Sequence, residues 1–126
     1  MKRYIGEPLT GLHVILPDDI IDTAGTILGA GKKVLEEGAV GVTAVTTHWL
    51  ASPKAVPKEP SLRSAEANFR KAGIKVIATN TVPRKADYRV ANEDFLTMID
   101  CEEMLAGAIM ESLTPGGSVS KLSEEK

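Results

Sequence analysis

The chain has 126 residues, 43% apolar and 25% charged, enough to bury one domain's core. A formal net charge of −2, with only two Phe, two Tyr and one Trp, argues against the basic, aromatic-rich surface of a general nucleic-acid binder. The single cysteine, Cys101, excludes an internal disulfide, and no Cys/His cluster has zinc-ligand spacing. With no signal-type amino terminus and no run of eighteen apolar residues, the expectation is a cytoplasmic protein whose partners include neither nucleic acid nor membrane.

Leu12 to Leu16, a branched apolar run between Gly11 and Pro17, predicts a first strand buried on both faces. Thr26 to Glu37 places Ile27, Ala30, Val34 and Leu35 at helical spacing and ends at Gly38, which predicts an amphipathic helix. Val40 to Thr46 predicts a second strand, Ser61 to Ala72 a helix closed by Gly73, and Lys75 to Thr79 a third strand. The stretch from Ser52 to Pro60, with three prolines, predicts a loop. Phe95 to Ile99 reads as a further strand, and Asp100 and Glu103 have the spacing of a capping box for a helix reaching about Leu113. Alternation of strand and helix predicts an α/β domain, three-layer, with a mostly parallel sheet. It spans residues 1–117, followed by a polar tail, 118–126.

In such sheets ligands sit at the carboxyl ends of the strands. There the sequence places Asp18, Asp19 and Asp22, then Thr23, Ala24, Gly25 and Thr26 at the start of a helix. A helix amino terminus offers free N–H groups and the positive end of its dipole to a phosphate. Thr23 and Thr26 add hydroxyl donors, and Gly25 lets the backbone come close. Carboxylates accept hydrogen bonds, so Asp18 and Asp19 suit sugar hydroxyls or a magnesium ion bridging sugar and pyrophosphate oxygens. Hydroxyls at one end and phosphate at the other describe a pentose 5-phosphate. Helix capping explains one Asp; it explains three carboxylates within five residues poorly.

Asp18-Asp19-Ile20-Ile21-Asp22-Thr23-Ala24-Gly25-Thr26 resembles the ribose 5-phosphate loop of the phosphoribosyltransferase superfamily. Ile5-Gly6, Glu37-Gly38-Ala39, Thr47-His48 with Ser52 and Ala55, Thr79-Asn80-Thr81-Val82-Pro83 and Ser118-Val119-Ser120 extend the likeness. In order, and over nearly the whole chain, these segments resemble the carboxy-terminal half of the ribose-phosphate pyrophosphokinases.

That resemblance implies a type I phosphoribosyltransferase-like domain in which Asp18, Asp19, Asp22, Thr23, Ala24, Gly25 and Thr26 hold ribose 5-phosphate. Asp22 would sit near the ring, and Mg²⁺ would accompany ATP or phosphoribosyl pyrophosphate. It also implies a homo-oligomer or a complex with an amino-terminal half. In the family that half carries most of the ATP site, and a basic loop stabilises the transferring group. No Lys-x-Arg here matches that loop, so no catalytic residue is assigned, ATP is expected to bind only with the other half, and the lone chain is expected to be inactive. The family uses serines of its tail in an allosteric phosphate site between subunits, and the resemblance leaves open whether Ser118 and Ser120 form one here. Pro17, Trp49, Ala51 and a long stretch from Val56 to Arg70 depart from the family pattern.

The alternatives are a non-catalytic regulatory or sugar-phosphate-binding module, and a small phosphoribosyltransferase, for which no segment that would cover a nucleobase is evident. His48 is either a site residue or a structural hydrogen-bonding one, and His13 reads as structural. Cys101 reads as inert, and Thr79, Asn80 and Thr81 either line the pocket or form an ordinary turn.

Overall fold

The computed structural model describes residues 6–52 and 64–123. Strand β1 (His13–Ile21), helix α1 (Gly25–Glu36), β2 (Gly41–Trp49), α2 (Ala65–Ala72), β3 (Lys75–Thr79), α3 (Ala86–Ala91), β4 (Leu96–Ile99) and α4 (Glu102–Leu113) follow in chain order. A short 3-10 turn, Val119–Ser123, closes the described chain. The strands form one sheet in the order β1-β2-β3-β4, every neighbouring pair parallel. This is the parallel α/β sheet that the sequence predicts.

Strand order fixes where the helices go. Right-handed crossovers that always step in one direction deliver every connecting helix to the same side. Accordingly Ile27 and Leu28 of α1, Ala65 and Phe69 of α2 and Tyr88 of α3 gather on one cluster with Val42, Ala44, Val76, Ala78 and Leu96. Trp49, Phe69, Ile21, Ile74 and Val76 are its largest fully buried side chains. The Trp49 ring lies 5.6 Å from Phe69 and 6.1 Å from Phe95, centroid to centroid, within the range of favourable tilted pairs. Helix α1 lies close because residue 31 is glycine: a Cβ there would fall 2.5 Å from Ile74 Cδ1.

The opposite face is open among the described residues. Ile15 is 63% exposed and Ile99 53%, while Val45 and Ile77 between them are half-buried. Of the two helical layers in the expected sandwich, the described residues supply one. Helix α4 buries none of its residues and leaves Met104, Leu105, Ile109, Met110 and Leu113 exposed.

β1 is longer than Leu12 to Leu16. It carries on through Pro17 to Ile21, because it is an edge strand and an edge tolerates a missing N–H. β2 likewise runs on to Trp49, and α3 is an element that the sequence pattern did not show. Of the predicted second helix, Ser64 to Ala72 is seen, with Ser64 as N-cap and Gly73 at φ 67° as C-cap. The start of that helix at Ser61, and the predicted loop apart from Ser52, lie outside the described residues.

Candidate functional site

Extension of β1 changes the setting of the three carboxylates. Asp18 and Asp19 belong to the strand, opposite Thr46 and beyond, and only Asp22–Ala24 connect it to α1. Asp18 is half-buried, as Val14 and Leu16 are, and Asp19 is exposed; the alternation stops at the end of the strand, where Ile20 is exposed and Ile21 buried in the core. Asp18, Ile20, Ile21, Asp22, Thr23, Ala24, Gly25, Thr26 and Ile27 line a cavity of about 180 Å³; Asp19 does not. Thus the structure brings six of the seven expected binding residues together at one hollow. The backbone amides of Asp19 and Ile20 each donate to the preceding aspartate, Asp18 Oδ1 and Asp19 Oδ1, at 2.9 Å. Thr46 Oγ1 donates to the Asp19 carbonyl at 3.1 Å and ties β1 to β2 beneath the hollow.

Helix α1 opens on this cavity without the usual cap. Its N-cap is Ala24, in left-handed conformation at φ 65°, with no side-chain capping bond and no acidic residue in the first turn. By contrast, Ser64 Oγ accepts from Ala67 N at 3.3 Å at the start of α2. Uncapped first-turn amides of α1 are therefore free to serve an external anion. The left-handed alanine aims them, at a conformational cost of about 1–2 kcal/mol.

The chain leaving β2 is tied to two residues of the cavity's lining, Ile21 and Asp22. Leu50 N and Ala51 N both donate to the Ile21 carbonyl, at 3.0 and 3.2 Å, and Ser52 N donates to Asp22 Oδ1 at 2.9 Å. The Ser52 hydrogen bonds hold the Asp22 carboxyl below the usual carboxylate range, so Asp22 stays ionised. To the same segment Arg84 Nη2 donates, at the carbonyls of Trp49, at 3.3 Å, and Leu50. Its guanidinium lies 4.8 Å above the Tyr88 ring centre. Tyr88 Oη accepts from Trp49 Nε1 at 2.9 Å and donates to Glu66 at 2.8 Å. Burial raises the Tyr88 hydroxyl above the usual phenol range and keeps this proton in place. Arg84 and Tyr88 are only four residues apart, but the hydrogen-bond partners that their side chains find are 22 to 39 residues away and leave no mark in the local sequence pattern.

Thr79 and Thr81 knit β2 to β3 and are not among the cavity's residues: both hydroxyls donate to the Thr47 carbonyl, at 2.7 and 2.8 Å. With the Thr81 proton committed there, His48 Nδ1 is the donor to Thr81 Oγ1 at 2.8 Å. His13 pairs with Thr43 Oγ1 at 2.8 Å. Asn80 is a hub. It accepts from Cys101 N at 3.0 Å and donates to Asp100 at 3.1 Å and Glu102 at 2.5 Å. The predicted Asp100 capping box does not form. Cys101 is the N-cap of α4 and makes no capping bond, while Asp100 is drawn away to Arg89 at 2.9 Å and to Asn80. Ser118 N and Lys121 Nζ reach Glu111 on α4, at 3.0 and 3.7 Å, so the tail as far as Ser123 returns onto that helix.

Comparison with known proteins begins at the sequence level. A ribose-phosphate pyrophosphokinase of Bifidobacterium longum is 36% identical over 121 residues, which cover 96% of this chain and 32% of that protein. Ribose-phosphate pyrophosphokinase 4 of Saccharomyces cerevisiae is 34% identical over 121 residues, with the same two shares. The chain is homologous to the carboxy-terminal part of the ribose-phosphate pyrophosphokinases. It spans about a third of the length of these relatives. In structure it is similar to the crystallised phosphoribosylpyrophosphate synthetase of Mycobacterium smegmatis, with a TM-score of 0.65 and 32% identity over 85% of this chain and 33% of that one. The phosphoribosyltransferase-like α/β fold expected from the resemblance is thereby met. No protein-family model matches the chain. Among the described residues no helix is long and apolar enough to cross a membrane.

Proposed function

We propose that this chain is the ribose 5-phosphate-binding part of a ribose-phosphate pyrophosphokinase. The observation that carries the reading is the uncapped amino terminus of α1, opening on a cavity that also holds Asp18, Asp22, Thr23 and Thr26. The 5-phosphate takes the amides of Gly25, Thr26 and Ile27 and the threonine hydroxyls, and Asp18 accepts from a ribose hydroxyl. Asp22, held by Ser52, faces the sugar ring in this reading. In the reaction the anomeric hydroxyl oxygen of ribose 5-phosphate bonds to the β-phosphorus of ATP. The bond from that phosphorus to the bridging oxygen breaks, AMP departs with the oxygen, and the hydroxyl proton is released.

Magnesium fits this donor set in a limited way. Among the described residues no group of three His, Cys, Asp or Glu could hold a metal ion. Asp18, the carboxylate in the cavity nearest the strand, would hold the ion together with substrate oxygens, as Mg²⁺ commonly binds through one or two carboxylates and substrate phosphates; Asp19 does not line the cavity. When bound, the ion would neutralise pyrophosphate charge.

Among the described residues no lysine or arginine lines the cavity. Charge gathering on the transferred group needs cationic partners, so this reading assigns them, with most of the ATP site, to parts of a pyrophosphokinase outside the described residues, such as an amino-terminal half or a second subunit. Calorimetry with ribose 5-phosphate should show binding and ribose alone should not; equal responses would overturn the phosphate assignment. With ATP and Mg²⁺ added, the chain alone should release no AMP from ribose 5-phosphate. Turnover by the lone chain would refute the second claim.

A further inference from the structure

We propose that Arg84 is a positioning residue for the sugar-phosphate site: seated on the Tyr88 ring, it fixes the β2 exit that presents Ser52 to Asp22. The inference rests on the sugar-phosphate reading of residues 18–26 and adds to it a residue outside the cavity.

Three successive amides, those of Leu50, Ala51 and Ser52, converge on Ile21 and Asp22. An extended strand alternates its amides between opposite sides, so such convergence requires a turn. The chain makes it with Ala51 at φ 40°, in the left-handed region that an alanine rarely adopts. A turn of this kind persists only when its surroundings hold it. The amides are gripped from the β1 side, while the carbonyls of Trp49 and Leu50 lie beyond both the β3 ladder, which ends at Thr46 and Ala78, and the single bridge between His48 and Asn80. Arg84 supplies the missing donor to both.

Arginine suits the task. Its guanidinium is charged at every accessible pH, presents its donors in a rigid plane and stacks on an aromatic face, none of which lysine reproduces in full. Tyr88 cannot drift, because the buried indole of Trp49 donates to its hydroxyl and Glu66 accepts from it. Trp49 is therefore held twice, by its ring through Tyr88 and by its carbonyl through Arg84. The path from Arg84 to the site is short: the carbonyls of Trp49 and Leu50, the left-handed Ala51, the Ser52 amide, and the Asp22 carboxylate. Arg84 itself does not line the cavity.

The test compares Arg84→Met, Arg84→Lys and Tyr88→Phe with the unaltered chain. Two readouts are taken: ribose 5-phosphate affinity by calorimetry, and the ionisation midpoint of Asp22 by carboxylate-carbon NMR without ligand. In Arg84→Met the dissociation constant should rise about ten-fold, and the Asp22 midpoint should move up toward an ordinary carboxylate as the Ser52 hydrogen bond loosens. Arg84→Lys should restore neither in full, and Tyr88→Phe should fall between. Amide spectra of β3 and β4 should stay superimposable, which separates positioning from unfolding. An unchanged Asp22 midpoint in folded Arg84→Met would overturn the proposal, as would unchanged affinity with a chain that binds. Should the unaltered chain bind no ribose 5-phosphate, the reading of the site fails, and the Asp22 midpoint still decides whether Arg84 positions it.

Discussion

Asp18 and Asp19, adjacent in sequence, differ in setting: Asp18 is half-buried and lines the hollow at the start of α1, while Asp19 is exposed and does not. The two are therefore not interchangeable. Asp18→Asn should weaken ribose 5-phosphate binding by more than ten-fold, since it removes a charged acceptor from the cavity, whereas Asp19→Asn should change it less than three-fold, estimates that follow from charged hydrogen bonds contributing about 1.5–3 kcal/mol. Calorimetry on the two single variants checks this. Equal losses would show that the loop rearranges on binding.

The acid limb of the stability curve should depend on Asp94. Hydrogen bonding from Arg70, at 2.6 Å, lowers its carboxyl below the ordinary range. A carboxylate lowered on folding contributes stability that is fully present above its unfolded pKa and is lost as the pH falls through the folded one. Melting temperatures should thus drop below about pH 4, the ordinary carboxylate range, and Asp94→Asn should lower the plateau and flatten this drop. Thermal melts from pH 2 to 7 decide it; Asp22, lowered by Ser52, contributes a second step in the same window and is separated by Ser52→Pro, which removes the amide donor.

Core truncation should be severe. Phe69 is fully buried between Trp49 and Phe95, and Phe69→Ala should cost about 3–5 kcal/mol, enough to unfold a marginal domain. Trp49, the chain's one tryptophan, reports the outcome: buried, it should emit in the blue and shift red in the variant.

The two faces of the sheet predict opposite responses to charge. Val42 is 2% exposed under α1 and Ile15 is 63% exposed on the open face. Val42→Lys should abolish folding, because an unpaired buried charge is expensive, and Ile15→Lys should be accepted and should raise solubility. Circular dichroism and sedimentation of both variants give the answer.

These contrasts show what the sequence could and could not carry. Parallel α/β order was legible because Val42, Ala44, Val76 and Ala78 lie in short apolar runs between glycine-ended helices. The site loop was legible because its residues are local, Asp18 to Thr26. The end of β1 was not: Pro17 reads as a stop unless the strand is known to be an edge, which is a property of the assembled sheet. Asp100 and Glu103 have capping-box spacing, yet Arg89 and Asn80 are better partners that only folding brings near. Arg84 and Tyr88 have a local contact with each other, but their side-chain hydrogen bonds to Trp49, Leu50 and Glu66 join distant parts of the chain.

Ala24 offers the last test, because strain and function meet at one residue. At φ 65° an alanine bears about 1–2 kcal/mol that glycine does not, while glycine has about 0.5–1 kcal/mol more chain entropy to lose on folding. Ala24 is 5% exposed, so glycine also gives up a buried methyl. These terms nearly cancel, and Ala24→Gly should leave the melting temperature and the ribose 5-phosphate affinity close to those of the unaltered chain. A β-branched residue resists the left-handed region far more, so Ala24→Val should either unfold the start of α1 or swing the dihedral negative and turn the Gly25 and Thr26 amides away from the phosphate. Ala24→Val should therefore bind at least ten-fold more weakly even where its melting temperature is within a few degrees of normal, a split that simple destabilisation does not produce. Tight binding by folded Ala24→Val would show that the phosphate is not held by the amides that this residue aims.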